Sequence, residues 1–593
     1  MTPDRLLAEF PAPSFRGNQR AALTDIASAF EAGNDVVLVR APTGSGKSLL
    51  ARAVMGGARR AEEAGPLDRT GAYYTTPQVS QLDAVAEDPL LDDLAVIRGK
   101  ANYTCLLPGE ENTPVNRAPC ARERGFDCSV KHTCPYFSDR AIASNRRYAA
   151  MTLAYFMRTA GSDVFGPRDV LVVDEAHGLA EWAEMYATIE LDDRTVPVWD
   201  DVSVPAVDGL EAAATFATSL ADVCRRRLDV LRRAAELDPA EAAVRDRLED
   251  RVRELDWFTT DARDLDSATE WLVDQDDDGS ITITPVNPAR YLHHTVWDRA
   301  DNFVLLSATI LDATAFSRRV GLDPDRVALV DVPHTFPLDH RPLYDVAPGR
   351  MTYDQRDETL PAVARTLVRL MARHPEEKGI VHAHSYAIQG ELERRLRAMG
   401  VGARVRSHDR DDRDDALAGW LADESPSVFL AVKMEEALDL ADDRARWQVL
   451  CKAPYPNTHD PRVAHRLADD QWGWYYRSTL STVIQACGRV VRSADDRGAT
   501  YLADVSLHDL FERAEGDMPA WFADQVAAMT APDLPAFDPA AALTGFDEPP
   551  GPTEAASKAG PEGPDGGSRA GSTADAEGSP SYEDHPLSDV WGN

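Results

Sequence analysis

Short apolar runs alternate with amphipathic stretches along most of the chain. The first is Asp35-Val36-Val37-Leu38-Val39-Arg40, a buried strand leading through a glycine-rich turn into a helix expected over 47–58. Tyr73-Tyr74-Thr75-Thr76, Val170-Leu171-Val172-Val173 and Phe303-Val304-Leu305-Leu306 read as further strands. The same grain returns from about residue 335. Gly379-Ile380-Val381-His382-Ala383, Val428-Phe429-Leu430-Ala431-Val432, Trp447-Gln448-Val449-Leu450 and Ala499-Thr500-Tyr501-Leu502 are apolar strands separated by helical stretches. Such alternation predicts two α/β domains, each a parallel sheet covered by helices on both faces.

Two segments break the alternation. Residues 210–271 carry helical spacing, with Leu228, Leu231 and Leu237, then Val244, Leu248, Val252 and Leu255, and read as an inserted helical domain. Its Cys224 reads as a small core residue. From about residue 531 the chain turns to Pro, Gly, Ser, Ala and acids with little periodicity, the signature of a disordered acidic tail. Leu587 and Trp591 near its end make a docking peptide for a protein partner a candidate.

At 593 residues the chain is too long for one core. No run of 18 apolar residues and no leader pattern appears, so the expectation is a cytoplasmic protein with no membrane span. Asp plus Glu outnumber Lys plus Arg 99 to 63, giving a net charge of −36. Taken alone, that balance excludes a simple nucleic-acid binder. With only seven lysines, it reads instead as a surface adapted to a salt-filled cytoplasm, as in haloarchaea. One segment runs the other way: residues 98–147 hold nine basic and five acidic side chains, a local +4. Tyr103, Tyr136 and Phe137 in that segment are candidates to stack on single-stranded bases, because counterion release contributes little in molar salt.

Chemistry concentrates at strand ends. Ala41-Pro42-Thr43-Gly44-Ser45-Gly46-Lys47-Ser48 follows the phosphate-loop pattern with Ala41 in place of the usual first glycine. Backbone N–H groups of Gly44, Ser45, Gly46, Lys47 and Ser48 form an anion cradle, Lys47 reaches the β/γ-phosphates of ATP, and Ser48 ligates Mg²⁺. Asp174, closing an apolar strand, is the second Mg²⁺ ligand, and Glu175 polarises the attacking water. Gln485, Arg489 and Arg492 are spaced to share one helix face, where two arginines can stabilise transition-state charge. Cys105, Cys120, Cys128 and Cys134, separated by 14, 7 and 5 residues, lie between the phosphate loop and the acidic pair. The close pairs usual for structural zinc are missing, and spacing alone leaves zinc and an iron–sulfur cluster open.

In their order, Gly46-Lys47-Ser48, the DEAH box Asp174-Glu175-Ala176-His177, Ser307-Ala308-Thr309 and Gln485-x-x-Gly488-Arg489-x-x-Arg492 resemble a superfamily 2 helicase. The cysteine quartet, flanked by Arg98-Gly99-Lys100-Ala101-Asn102-Tyr103 and Pro135-Tyr136, is similar to the XPD/DinG group of iron–sulfur DNA helicases. The resemblance runs from about residue 15 to 530.

It implies two RecA-like parallel-sheet motor domains with an inserted Fe-S domain and an inserted helical, Arch-like domain. The expected boundaries are 1–100, 141–190 and 290–335 for motor domain 1, 101–140 for the cluster, 191–289 for the insertion, 336–530 for motor domain 2 and 531–593 for the tail. The resemblance also implies a 4Fe-4S cluster on the four cysteines, with Phe15, Arg16 and Gln19 on the adenine side. Thr75, Thr76 and Gln78 would contact the DNA backbone. His384, Ser385 and Tyr386 match a fourth motif, and Glu436 to Asp439 a fifth, with Asp439 toward nucleotide and Ala437 in place of a glycine. Lys452, Pro454, Tyr455 and Pro456 echo the segment that follows the fifth motif.

The expected activity is ATP-dependent 5′→3′ unwinding of duplex or forked DNA by a monomer moving on single strands, in repair or replication. A single-strand translocase that does not unwind, and a redox-responsive DNA-binding protein, are the alternatives.

Overall fold

The computed structural model describes residues 1–65, 68–122, 126–162, 164–234, 237–264, 269–432, 440 and 444–546. A seven-stranded sheet organises the first lobe: β1 (Val36–Arg40), β2 (Ala72–Thr76), β3 (Ala95–Ile97), β4 (Tyr148–Thr152), β5 (Arg168–Val173), β9 (Ala300–Ser307) and β10 (Val327–Asp331). Their spatial order is β10-β1-β9-β5-β2-β4-β3, and every pairing is parallel. Inner strands such as β1 and β5 are buried on both faces, which is why the sequence shows continuous rather than alternating apolar runs there. β1 lies beside β9, with Val36–Arg40 in register with Phe303–Ser307. The turns after β1, β5 and β9 therefore open at one edge of the sheet, at the carboxyl ends where parallel sheets hold ligands.

The second lobe repeats the plan with β11 (Leu343–Asp345), β12 (Gly379–His382), β13 (Val405–Arg406), β14 (Val428–Ala431), β15 (Trp447–Leu450) and β16 (Ala499–Leu502). The order is β11-β16-β15-β12-β14-β13, again all parallel.

The insertion carries a small sheet beside its expected helices. Its long helices Leu210–Arg233 and Pro239–Arg263 pack on an antiparallel sheet of β6 (Ile189–Leu191), β8 (Ile281–Pro285) and β7 (Trp271–Gln275). Alternation of polar and apolar residues in Ile281-Thr282-Ile283-Thr284 carries that sheet, and Asp276–Gly279 turns β7 into β8. Cys224 is fully buried beside Leu220 and Leu228 in the insertion's own core. Among the described residues no helix is long and apolar enough to cross a membrane.

Residues 531–546, expected to belong to the tail, pack onto the second lobe. Leu534, Ala542 and Leu543 pack against the second lobe's core. Arg369 donates to the carbonyls of Leu534 and Pro535, and Arg373 to that of Asp533. Proline and alanine in this stretch bury against a partner the local pattern cannot show. The expected docking peptide, with Leu587 and Trp591, lies outside the described residues.

Arg404 is fully buried and donates to the carbonyls of Met371, His374, Glu377, Pro426 and Ala542, so one guanidinium ties the final segment to the lobe. Arg404→Met strands those acceptors and is expected to cost about 3 kcal/mol. Chemical denaturation checks this, with protease cutting near residue 540 accompanying the loss.

Candidate active site

Between β1 and the helix Lys47–Gly56, Gly44 (φ 78°) and Gly46 (φ 80°) take left-handed backbone, which turns successive N–H groups inward. Gln19 holds this loop from outside: its Nε2 donates to the Ser45 carbonyl at 3.1 Å, and its Oε1 accepts from Arg16 N at 2.9 Å. A side chain on Gly46 would collide with the Gln19 amide. Phe15 is half-buried, stacked on Phe10 at 4.4 Å, while Arg16 is exposed. Arg20 Cζ stands 5.6 Å from the centroid of the Phe15 ring.

Lys47 Nζ lies 3.3 Å from Glu175 Oε1. Tyr74 donates its hydroxyl to Asp174 Oδ2 at 2.7 Å and also meets Ser48, so the two Mg²⁺-ligand candidates share one neighbour. The donor set, a hydroxyl and a carboxylate beside the phosphate cradle, suits a hard cation. Burial and the neighbouring Glu175 charge raise the Asp174 carboxyl, and burial raises Tyr74. For Glu175 burial also pushes upward, but Lys47, His177 and Arg489 outweigh it and hold the carboxyl well below the ordinary range. Glu175 has left-handed backbone (φ 49°), strained for a side chain with a Cβ, as recurs where a functional group must be aimed.

From Glu175 a polar chain crosses to the second lobe. His177 Nδ1 lies 3.5 Å from Glu175 Oε2 and 3.0 Å from Ser307 Oγ. Ser307 Oγ accepts from Thr309 N at 3.0 Å, and Gln485 Nε2 donates to Thr309 Oγ1 at 3.1 Å. Arg489 Nη2 donates to Gln485 Oε1 at 3.3 Å. Thr309 and Gln485 are 4% and 5% exposed, so this junction is dry.

The single helix face expected for Gln485, Arg489 and Arg492 is corrected. The helix Trp472–Cys487 stops at Gly488, and the arginines follow in a bend and irregular backbone, anchored by buried Val490 and Val491. Gly488 is the C-cap, and a Cβ there would come 2.7 Å from Thr43 Oγ1 of the phosphate loop. Gly44 is hemmed in likewise, with the Arg492 carbonyl 2.7 Å from where its Cβ would stand. The lobes thus meet glycine against loop. Arg492 N donates to Asp496 Oδ2 at 2.9 Å, a positioning contact that sequence reasoning missed, as it missed Tyr74. The Tyr73-Tyr74 pair reads only as strand, and Asp496 stands in no motif.

Two expected nucleic-acid contacts are corrected. Thr75 and Thr76 are buried, and their hydroxyls donate to the carbonyls of Val172 and Gln78, so neither reaches a DNA backbone. Tyr103 and Tyr136 are packed edge to face inside the first lobe's core, with the Tyr103 hydroxyl donating to Asp139. The local +4 is also partly spent, since Arg98 pairs with Asp83 and Arg122 with Glu110.

Ser385 caps the helix Tyr386–Ala398, preceded by His384 in left-handed backbone (φ 63°). Tyr455 stacks on Tyr475 at 5.2 Å. Glu436, Ala437, Leu438 and Asp439 lie outside the described residues.

The four cysteines gather into one neighbourhood. Burial raises the Cys120 thiol, and Cys128, Cys105 and Cys134 add to the rise. Cys134 caps the helix Pro135–Asn145, and Leu107 N donates to Cys105 Sγ at 3.5 Å, both favourable to thiolate ligands. Cys451 and Cys487 are buried in the second lobe, their thiols pushed up to about 12 by burial.

Two RecA-like parallel-sheet lobes thus close on one phosphate loop. Residues 367–525 match the helicase C-terminal domain family. Regulator of telomere elongation helicase 1 from Homo sapiens is 33% identical over 16% of this chain and 9% of that protein. Its homolog from Drosophila sechellia is 34% identical over 15% of this chain and 11% of its own length. The chain thus matches about a tenth of these relatives' length. Among solved structures, S. tokodaii Xpd4 superposes with a TM-score of 0.54 at 15% identity, covering 87% of this chain and 100% of that one. An XPD helicase structure gives 0.55 at 17% identity, covering 87% and 98%. These two share the fold. The resemblance to the XPD/DinG type of superfamily 2 is thus matched by the helicase C-terminal domain over 367–525 and by the fold of the two XPD structures.

Glu175→Gln is expected to lower turnover about 10²- to 10³-fold while nucleotide still binds. Steady-state hydrolysis beside a nucleotide titration checks it. Since His177 is one of the groups depressing Glu175, His177→Ala lets that carboxyl take its proton at higher pH. The acid limb of the turnover profile should then move upward relative to the native protein.

Proposed function

We propose that the protein is an ATP- and Mg²⁺-dependent DNA helicase that moves 5′→3′ on single strands and carries a 4Fe-4S cluster. Cytoplasmic, in a salt-rich cell, and repair or replication complete the reading. The observation that carries it is the polar chain from Lys47 and Glu175 through Ser307 and Thr309 to Gln485. Hydrolysis at one lobe is thereby registered by the other, which is what a motor on a strand requires.

Each group has a role in this reading. Ser48 and Asp174 hold Mg²⁺, and Lys47 carries the β/γ-phosphates. Glu175, ionised by its cationic surroundings, accepts the proton of the attacking water. Arg489 faces the charge that develops on the transferred phosphoryl group, and Arg492 is held in place through Asp496. Phe15 and Gln19 hold the adenine, with Asp439 assigned to the nucleotide by motif alone.

Cys105, Cys120, Cys128 and Cys134 would hold the cluster, whose contribution is a rigid cross-link of a segment with few regular elements. The XPD-like fold supports that assignment over zinc. The strong excess of acid over base supports the salt-rich setting.

Strand displacement with ATP in concentrated KCl tests the activity. Duplexes with a 5′ tail should be displaced and those with a 3′ tail left intact. ATP hydrolysis stimulated by DNA without displacement of either would favour the translocase. Cys128→Ser should lose iron and strand separation while part of the ATP hydrolysis survives, read by iron content and the same two assays. Full unwinding by an iron-free variant would refute the cluster's role.

A further inference from the structure

The helix Pro461–Ala468 of the second lobe makes contacts that the nucleotide site does not use. Arg466, 4% exposed, sends Nη2 to Glu184 Oε1 at 2.6 Å and to the Val286 carbonyl at 3.1 Å. Glu184, 2% exposed, stands on the first lobe's helix Leu179–Ala187, which begins just after the DEAH box, and also takes Arg319 at 2.9 Å. Val286 follows β8 at the base of the insertion, and Val286 N donates to the Glu270 carbonyl just before β7. One residue earlier on the same helix, His465 Nε2 lies 3.0 Å from Glu270 Oε1. The second lobe therefore grips the root of a domain inserted in the first.

The grip is linked to the nucleotide site by a rigid element. Trp474 packs under both arginines, its ring centroid 4.6 Å from Arg466 Cζ and 5.5 Å from Arg319 Cζ. Trp474 and Gln485 belong to one helix, Trp472–Cys487, and stand about 16 Å apart along it. At its far side the insertion reaches the cysteine segment, where Arg245 Nη2 donates to the Ala121 carbonyl at 2.7 Å. Between them opens a cavity of about 820 Å³ lined by Lys100, Cys120, Tyr136, Tyr155, Leu231 and Arg245.

We infer that Arg466 and His465 are positioning residues that make the insertion travel with the second lobe, so that nucleotide-driven lobe closure changes the cavity beside the cysteines. This rests on the motor reading above. Arg319 still pairs with Glu184 when Arg466 is removed, so the first lobe is not left with an unpaired buried carboxylate. His465 and Glu270 sit at the rim, and their replacement tests the same grip without touching the buried pair.

The test measures two distances by paired labels on non-natural side chains, leaving the cysteines intact. Positions 106 and 230, both exposed, flank the cavity, and positions 90 and 353, also exposed, report lobe closure. Adding Mg²⁺ with ADP and beryllium fluoride should shift both distances in the native chain. In Arg466→Met, and in His465→Leu, the lobe shift should remain while the cavity shift is lost, and Arg466→Lys should restore it. A cavity distance that stays fixed in the native chain, or still responds in both variants, overturns the inference. A lobe distance that ignores nucleotide contradicts the motor reading itself, and the coupling with it.

Discussion

One hydrogen bond, from Gln485 to Thr309, is the point on which the proposed motor depends. It is the dry crossing between lobes, and on either side of it stand groups whose charge states are set by the others. Glu175 is ionised because Lys47, His177 and Arg489 surround it, and Arg489 is aimed by Gln485. In the proposed reading, the base that would activate water and the arginine that would meet the developing phosphoryl charge are therefore ends of one network. Buried polar networks of this kind are rigid when every member is satisfied. Parting the lobes breaks the network at the crossing, while the first lobe keeps Ser307 and Thr309 together.

The approach of the lobes is a matter of volume before it is one of charge. Gly44 and Gly488 each stand where a single Cβ would strike the opposite lobe, and Phe336 closes the space beside Gly44. Backbone of the phosphate loop can then come close to the segment carrying Arg489 and Arg492. A second set of contacts, through Arg466 and Glu184, holds the lobes on the side of the insertion. Sheets buried on both faces keep each lobe stiff, so relative motion is confined to these interfaces.

Sequence pattern carried much of this, for physical reasons that also explain its failures. Doubly buried strands such as Val36–Arg40 and Val428–Ala431 stand out because both faces demand apolar residues. Tyr148–Thr152, with two alanines, has the composition of a helix and is strand only because it lies between β2 and β3. Chemistry bound to a tight turn was legible: Gly46-Lys47-Ser48 and Asp174-Glu175 need fixed residue types at fixed spacing. The helix face for Gln485 and Arg489 was misread because Gly488 answers to Thr43 in the other lobe, a constraint with no local signature. Tyr74 and Asp496 were missed for the same reason, since each acts on a residue distant in sequence. Buried aromatic rings at Tyr103 and Tyr136 show the converse error, in which a type suited to stacking on bases serves as core.

The most direct test of the account is a double-mutant cycle across the crossing, with Thr309→Val, Gln485→Ala and the pair, read as DNA-stimulated ATP hydrolysis. If the two side chains act through their mutual hydrogen bond, either change alone removes most of the stimulation and the double variant is scarcely worse. Losses that multiply would show that the two residues act independently, and would contradict coupling of hydrolysis to lobe movement at this junction.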